Sequence, residues 1–140
     1  MDPTPARILL VEDDVELRSL LSRELRHRGY DVVVARTGSE AIDYVVHSLI
    51  DPRTYNRPAL IVSDVCLQAS SGLSIAEAIR AANYDVPILL MTAFPGPEVH
   101  SRAAAIRDCT LLAKPFDLFE FFGLVRQITA RPGRLVAVVG

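Results

Sequence analysis

Three acidic residues follow an apolar run near the start of the chain. The stretch "ILLVEDD" places Glu12, Asp13 and Asp14 directly after four apolar residues, with no basic residue between them. An unpaired buried charge is costly, and neighbouring carboxylates repel one another. The pattern therefore predicts that a positive charge from elsewhere compensates these acids.

Further polar residues stand at the ends of three other apolar runs. Asp64 ends "ALIVSD", Thr92 follows "VPILLM" and Lys114 follows "TLLA". If these runs are parallel strands, their carboxyl ends lie at one edge of the sheet, where ligands bind in such folds. Five polar side chains are then expected to converge there: Glu12, Asp13, Asp64, Thr92 and Lys114.

Carboxylate oxygens with room for water are typical of a Mg²⁺ site. We expect Asp13 and Asp64 as direct ligands, Glu12 acting through water, and a backbone carbonyl in the loop after Asp64. The alternative is that the acids merely begin the next helix and favour its dipole. We prefer that interpretation for Asp14 alone, because Asp64 independently ends an apolar run at the same edge.

A carboxylate beside a metal ion can attack phosphorus and form an acyl phosphate. Asp64 is the candidate nucleophile. The ammonium of Lys114 and the hydroxyl of Thr92 would then neutralise or hydrogen-bond the phosphoryl oxygens. Lys114 stands between "LLA" and Pro115, where a solvated surface lysine would be out of place.

The elements that must position these residues can be read from the apolar pattern. Five continuous apolar runs, typical of strands covered on both faces, alternate with stretches of helical period. Asp14 is a predicted N-cap, Gly29 a helix stop, and Thr37 with Glu40 a capping box. We predict strands at residues 7–11, 31–35, 59–64, 86–91 and 110–113. Five β-then-α units imply a doubly wound parallel sheet with helices on both faces.

Composition limits the remaining possibilities. A chain of 140 residues, half of them hydrophobic, suits one domain, and a net charge of −2 without basic runs predicts no nucleic-acid interface. No apolar run approaches the ~18 residues of a membrane span, so we predict a cytoplasmic protein without membrane contact. Cys66 and Cys109 lack paired spacing and are interpreted as reduced, core-like residues.

Four motifs together resemble a known family. "ILLVEDD", "SDVCLQASSG", "LLMTAF" and "LAKPF", in this order over residues 7–130, are similar to the receiver domain of two-component response regulators. The resemblance implies a flavodoxin-like (βα)₅ three-layer sandwich with a five-stranded parallel sheet over residues 1–130, leaving 131–140 as a tail or the start of a linker. It also implies Mg²⁺ as cofactor, with the backbone carbonyl of Cys66 among its ligands.

The same resemblance implies the role of each matching residue. Asp64 is the phosphoacceptor, Glu12 with Asp13 is the acid pair, and Thr92 and Lys114 contact the phosphoryl group. Phosphate would come from a sensor histidine kinase or a histidine phosphotransfer protein. The phosphorylated surface would then act on a downstream partner, or on an effector domain missing from this chain.

Three departures from the family pattern concern the loops and the switch. Gln68 replaces a common proline, the loop 51–58 is longer than in a typical member, and Leu111 replaces a common aromatic switch residue. Rotamer exchange of an aromatic side chain at this position therefore cannot be the way in which this protein signals its phosphorylation.

Two other functions compete with the phosphorylated switch. One is a degenerate receiver that binds partners independently of phosphorylation. The other is a small aspartate-dependent phosphatase or phosphotransferase, which normally carries a second acid where this chain has Cys66. We therefore predict a regulatory phosphoacceptor that catalyses at most its own phosphorylation and dephosphorylation.

Overall fold

The computed structural model describes residues 4–130 of the chain. These residues alternate between strands and helices, as the apolar pattern predicts. The elements are β1 (Arg7–Val11), α1 (Val15–His27), β2 (Asp31–Ala35), α2 (Gly38–Ile50), β3 (Leu60–Asp64), α3 (Gly72–Ala81), β4 (Ile88–Thr92), α4 (Pro97–Ala104), β5 (Cys109–Ala113) and α5 (Leu118–Thr129).

The five strands form one parallel sheet in the order β2-β1-β3-β4-β5. From β1 the chain first adds β2 on one side and then crosses back to add β3 on the other side. The direction of strand order therefore reverses between β1 and β3. Val11 at the end of β1 pairs with Ser63 in β3. The crevice expected at such a reversal therefore opens beside the acidic residues.

Alternate residues of the strands belong to two hydrophobic cores, one on each face of the sheet. Leu9 and Val11 of β1 pack with residues of α2, α3 and α4, whereas Ile8 and Leu10 pack with α1 and α5. Side chains of a strand alternate between its two faces, which explains this division. Both faces are covered by helices, and the predicted three-layer flavodoxin-like sandwich is confirmed.

The predicted helix signals occupy the expected places. The side chain of Asp14 accepts hydrogen bonds from amides in the first turn of α1. Thr37 Oγ1 accepts from the Glu40 amide at 3.1 Å, and Glu40 Oε1 accepts from the Arg36 amide at 2.9 Å. Gly29 has a φ of +91°, a left-handed conformation that favours glycine.

Two sequence interpretations need correction. Cys66 is exposed, not core-like, because it lies in the loop after β3, while Cys109 is partly buried at the start of β5. The bounds of three strands also differ: β4 covers Ile88–Thr92 and not residues 86–91, β3 begins at Leu60 and not at residue 59, and β5 begins at Cys109 and not at residue 110. Pro87 has no amide hydrogen to donate to the ladder, although its carbonyl accepts from Ile61 at 2.9 Å.

The predicted tail, residues 131–140, lies outside the described residues, so the boundary at 130 stays a prediction. None of the helices in the described part of the chain combines the length and the apolar character that crossing a bilayer requires.

Candidate phosphorylation site

The acid pair follows β1 and differs sharply in exposure. Glu12 is 1% exposed, and its amide donates to the Ala35 carbonyl at 3.0 Å, which fixes its backbone to the end of β2. Its Oε2 accepts from the Asp14 amide at 3.2 Å, whereas Oε1 has no hydrogen-bond partner among the described residues. Asp13 is half-buried and Asp14 is exposed. The capping interpretation of Asp14 is therefore confirmed.

Asp64 ends β3 and is buried, with 7% of its surface exposed. Its Oδ1 accepts from the Cys66 amide at 2.9 Å, so the following loop turns back over the carboxylate. Gly72, at the start of α3, closes this loop by donating its amide to the Val65 carbonyl at 2.8 Å. Asp64 therefore lies buried at the carboxyl edge of the sheet, with the loop that follows it hydrogen-bonded to its carboxylate.

Lys114 reaches from the end of β5 into the acidic residues. Its Nζ donates to Asp64 Oδ2 and lies 3.6 Å from Glu12 Oε1, which is an ion-pair distance but too long for a hydrogen bond. Three residues distant in sequence thus meet at the reversal of strand order. The sequence predicts Mg²⁺ as the positive charge beside the acids; the structure shows that Lys114 also places a positive charge there.

The charges of the cluster perturb one another. Burial raises the pKa of Glu12 to about 7, aided by the charge of Asp64 and opposed by the Asp14 amide and Lys114. Burial alone would lower the pKa of Lys114, but its hydrogen bond to Asp64 and the charge of Glu12 leave that pKa raised. The lysine is therefore a fixed cation at neutral pH.

Thr92 is the last residue of β4 and is 1% exposed. Its Oγ1 accepts from the Phe94 amide at 3.1 Å, and its carbonyl accepts from the Lys114 amide at 2.7 Å. The hydroxyl retains its own proton for donation. Leu111, at the position that the family often gives to an aromatic residue, is partly buried against the core on the α4 side.

A contact that the sequence analysis missed involves Arg18 of α1. Its Nη1 donates to the carbonyl of Glu12 at 3.0 Å and lies 3.5 Å from the carbonyl of Asp13. The spacing in the sequence could have revealed this contact. Arg18 lies about one helical turn after the N-cap of a helix that begins at the acid pair, and helical side chains lean back toward the N-terminus.

The cluster fits a divalent cation in its donor chemistry. The described residues hold no group of three His, Cys, Asp or Glu side chains already arranged around a metal. Mg²⁺, however, is usually held by only one or two carboxylates and keeps several waters. Glu12 supplies a buried carboxylate oxygen without a hydrogen-bond donor, and Asp13, Asp64 and the Cys66 carbonyl are the other predicted donors.

The chain matches a known protein family over the region that carries the four motifs. The model described as "Response regulator receiver domain" matches residues 8–126, which is most of the chain. This chain belongs to the response regulator receiver family. Its members are response regulators of two-component systems, and phosphorylation-dependent function is typical of the family. The resemblance found in the sequence is thus confirmed.

Curated relatives of this receiver domain are longer proteins. Response regulator MprA of a Mycobacterium species is 35% identical over 129 residues, which are 91% of this chain and 52% of MprA. Transcriptional regulatory protein PrrA of Mycobacterium tuberculosis is 33% identical over 132 residues, 93% of this chain and 52% of PrrA. The chain spans about half the length of these relatives.

Solved structures agree in fold. The non-phosphorylated HemR receiver domain of Leptospira biflexa has a TM-score of 0.78 and 33% identity, covering 90% of this chain and 95% of that one. The TrrA response regulator of Thermotoga maritima, solved in complex with Mg²⁺-BeF, has a TM-score of 0.72 and 28% identity. The match covers 88% of this chain and 98% of the TrrA chain. One solved structure similar to this receiver domain thus contains Mg²⁺ together with BeF.

Proposed function

We propose that this receiver domain accepts one phosphoryl group on Asp64, with Mg²⁺, from a sensor histidine kinase or a histidine phosphotransfer protein. The observation that carries the proposal is the placement of Lys114 Nζ against both Asp64 and buried Glu12. A lysine held by two carboxylates at a ligand-binding edge is arranged to receive the negative oxygens of a phosphoryl group.

In the proposed step, a carboxylate oxygen of Asp64 forms a bond to phosphorus. The bond between phosphorus and the donor's histidine nitrogen breaks, and its electron pair stays with the imidazole. Lys114, already protonated, neutralises one phosphoryl oxygen, and the Thr92 hydroxyl donates a hydrogen bond to another. The product is an acyl phosphate on Asp64, and the carboxylates of Glu12 and Asp13 remain beside it.

Asp13, Asp64 and the carbonyl of Cys66 are the residues that would hold Mg²⁺, with Glu12 acting through water. Bound Mg²⁺ would offset the charge that accumulates between the acids and the incoming phosphoryl group. The buried Oε1 of Glu12 supports this assignment, because among the described residues it has no hydrogen-bond partner and its ion-pair contact with Lys114 is 3.6 Å long, which leaves it able to face further positive charge.

Partner binding is supported by an apolar cavity beside the site. A cavity of about 580 Å³ lies between α1 and the start of α5, next to Lys114, and its walls include Leu17, Leu20, Phe116 and Leu118. Apolar surface next to a reacting carboxylate suits the docking of a phosphodonor protein. The output would be a phosphorylation-dependent change of surface read by a downstream partner or by an effector domain outside this chain.

Two alternative functions, an aspartate-dependent phosphatase or phosphotransferase and a degenerate receiver, can be distinguished by the labelling experiment described below. A phosphatase or phosphotransferase normally carries a second acid at the position of Cys66, which is an exposed thiol in this chain. A degenerate receiver would show no labelling, although all the residues required for labelling are present. Cytoplasmic location and the absence of nucleic-acid binding stay predictions from the sequence.

The test is incubation of the whole chain with Mg²⁺ and acetyl phosphate, followed by intact mass spectrometry. We expect one base- and hydroxylamine-labile phosphate per chain, abolished by Asp64→Asn and by EDTA. Asp43→Asn, on the exposed side of α2, makes the same chemical change away from the site and should label normally. Asp13→Ala should impair labelling more than Glu12→Ala. Undiminished labelling of Asp64→Asn would refute the assignment.

A further inference from the structure

The carbonyls of the acid pair are held by a side chain that belongs to neither the metal site nor the phosphoryl site. Arg18 Nη1 donates to the Glu12 carbonyl at 3.0 Å and approaches the Asp13 carbonyl at 3.5 Å. Side chains in a helix lean toward its N-terminus, which brings the guanidinium of half-buried Arg18 back over the loop.

Few other contacts hold this loop. The Glu12 amide is tied to Ala35, and the Asp14 amide donates to Glu12 Oε2. The carbonyls of Glu12 and Asp13 point toward α1, where Arg18 is their hydrogen-bond donor in the described residues. Backbone orientation at these two residues sets the direction in which both carboxylates leave the chain.

We propose that Arg18 is a positioning residue that pre-forms the metal site by fixing the backbone of Glu12 and Asp13. The inference rests on the proposed Mg²⁺-dependent function and adds to it a residue that touches neither metal nor phosphoryl group. A preformed site binds more tightly because the ligands need no ordering when the ion arrives.

The charge of Arg18 and its hydrogen bonds should have opposite effects on the affinity for Mg²⁺. The positive charge of Arg18 beside two acids opposes a second cation, so removal of charge alone would strengthen Mg²⁺ binding. Loss of the two carbonyl contacts would weaken it. Arg18→Lys keeps the charge but loses the planar group with several fixed donors, whereas Arg18→Gln loses both.

The experiment is calorimetric titration of the metal-free, unphosphorylated chain with MgCl₂. If Arg18 positions the acids, both variants should bind Mg²⁺ about tenfold more weakly, the lower end of the usual effect of outer-shell partners. Arg23→Gln is the matched control, because Arg23 lies on the exposed side of the same helix and the change in net charge is identical. That variant should bind like wild type.

Hydrogen exchange of the metal-free protein supplies a second readout. The amides of Glu12 and Asp14 should exchange faster in Arg18→Lys and Arg18→Gln, while those in the second half of α1 stay unchanged. If Arg18→Gln fails to fold, Arg18→Lys alone decides the question.

The outcomes separate the two proposals. Wild-type affinity in Arg18→Lys, with equal or tighter binding in Arg18→Gln, would overturn the positioning role and leave the proposed function intact. A wild-type chain that binds no Mg²⁺ would overturn the proposed function itself.

Discussion

Replacing Gly72 with alanine tests how closely the strand that carries Asp64 is packed. Gly72 is the first residue of α3, and an added Cβ would lie 2.2 Å from the Asp64 carbonyl oxygen and 3.1 Å from Ser63 Oγ. Ordinary contacts to a Cβ begin near 3.4 Å, so the fit fails by more than an ångström. The obstructing atom is backbone of a central strand and cannot rotate away.

The expected cost follows from this overlap. Overpacking a well-packed core typically costs about 1–3 kcal/mol. Alanine would regain at most about 1 kcal/mol of helix propensity, and less than that at the first position of a helix. We therefore expect Gly72→Ala to lower the free energy of unfolding by roughly 2 kcal/mol. Displacement of the Asp64 carbonyl should also slow labelling of that residue.

The matched control is Gly123→Ala in the middle of α5. Gly123 is exposed, and a Cβ built there meets no atom within 4 Å. Alanine should raise the free energy of unfolding by about 0.5–1 kcal/mol, since glycine is the poorer helix former. Urea unfolding of both variants, in EDTA to exclude metal binding, measures these changes against wild type.

The contrast between the two glycines is the critical result. If Gly72→Ala is as stable as wild type, the close approach of α3 to the Asp64 carbonyl is wrong. Helix propensity alone would stabilise both variants, so an equal loss of stability in both would show that the effect does not come from the close approach at Gly72.

Three further predictions concern signalling, lifetime and thiol chemistry. Thr92→Ala should still be phosphorylated but lose the phosphorylation-induced change in amide exchange in β4 and β5; retention of that change would disprove the switch. Phe94 is 74% exposed near the site, and Phe94→Asn or Cys66→Asn should hasten loss of phosphate by helping to orient water; wild-type phosphoprotein that decays equally fast would contradict this. Burial raises the pKa of Cys109 to about 11 from 9.0, so about a hundredfold less thiolate forms there below pH 9. Exposed Cys66 should react first with Ellman's reagent, and Cys66→Ser should leave only the slow phase; a remaining fast phase would show that Cys109 is accessible.

Local sequence signals determined most of the fold. Continuous apolar runs indicated strands buried on both faces, and residues such as Asp14, Gly29 and Thr37 marked helix ends through short-range hydrogen bonds and backbone preference. The alternation of these elements implied a parallel sheet. A parallel sheet then placed Asp64 and Lys114 at one edge without knowledge of any contact, because all its strands end on the same side.

The tertiary structure alone decided which of these side chains meet and how their charges balance. Nothing local indicates that Lys114 contacts both Asp64 and Glu12, that Glu12 is buried while Asp13 is only half-buried, or that Cys66 is exposed. These properties depend on the order of the strands and on the path of the loops between them. Burial and ion pairing are set by neighbours tens of residues away, whereas sequence patterns report only the conformational preferences of adjacent residues.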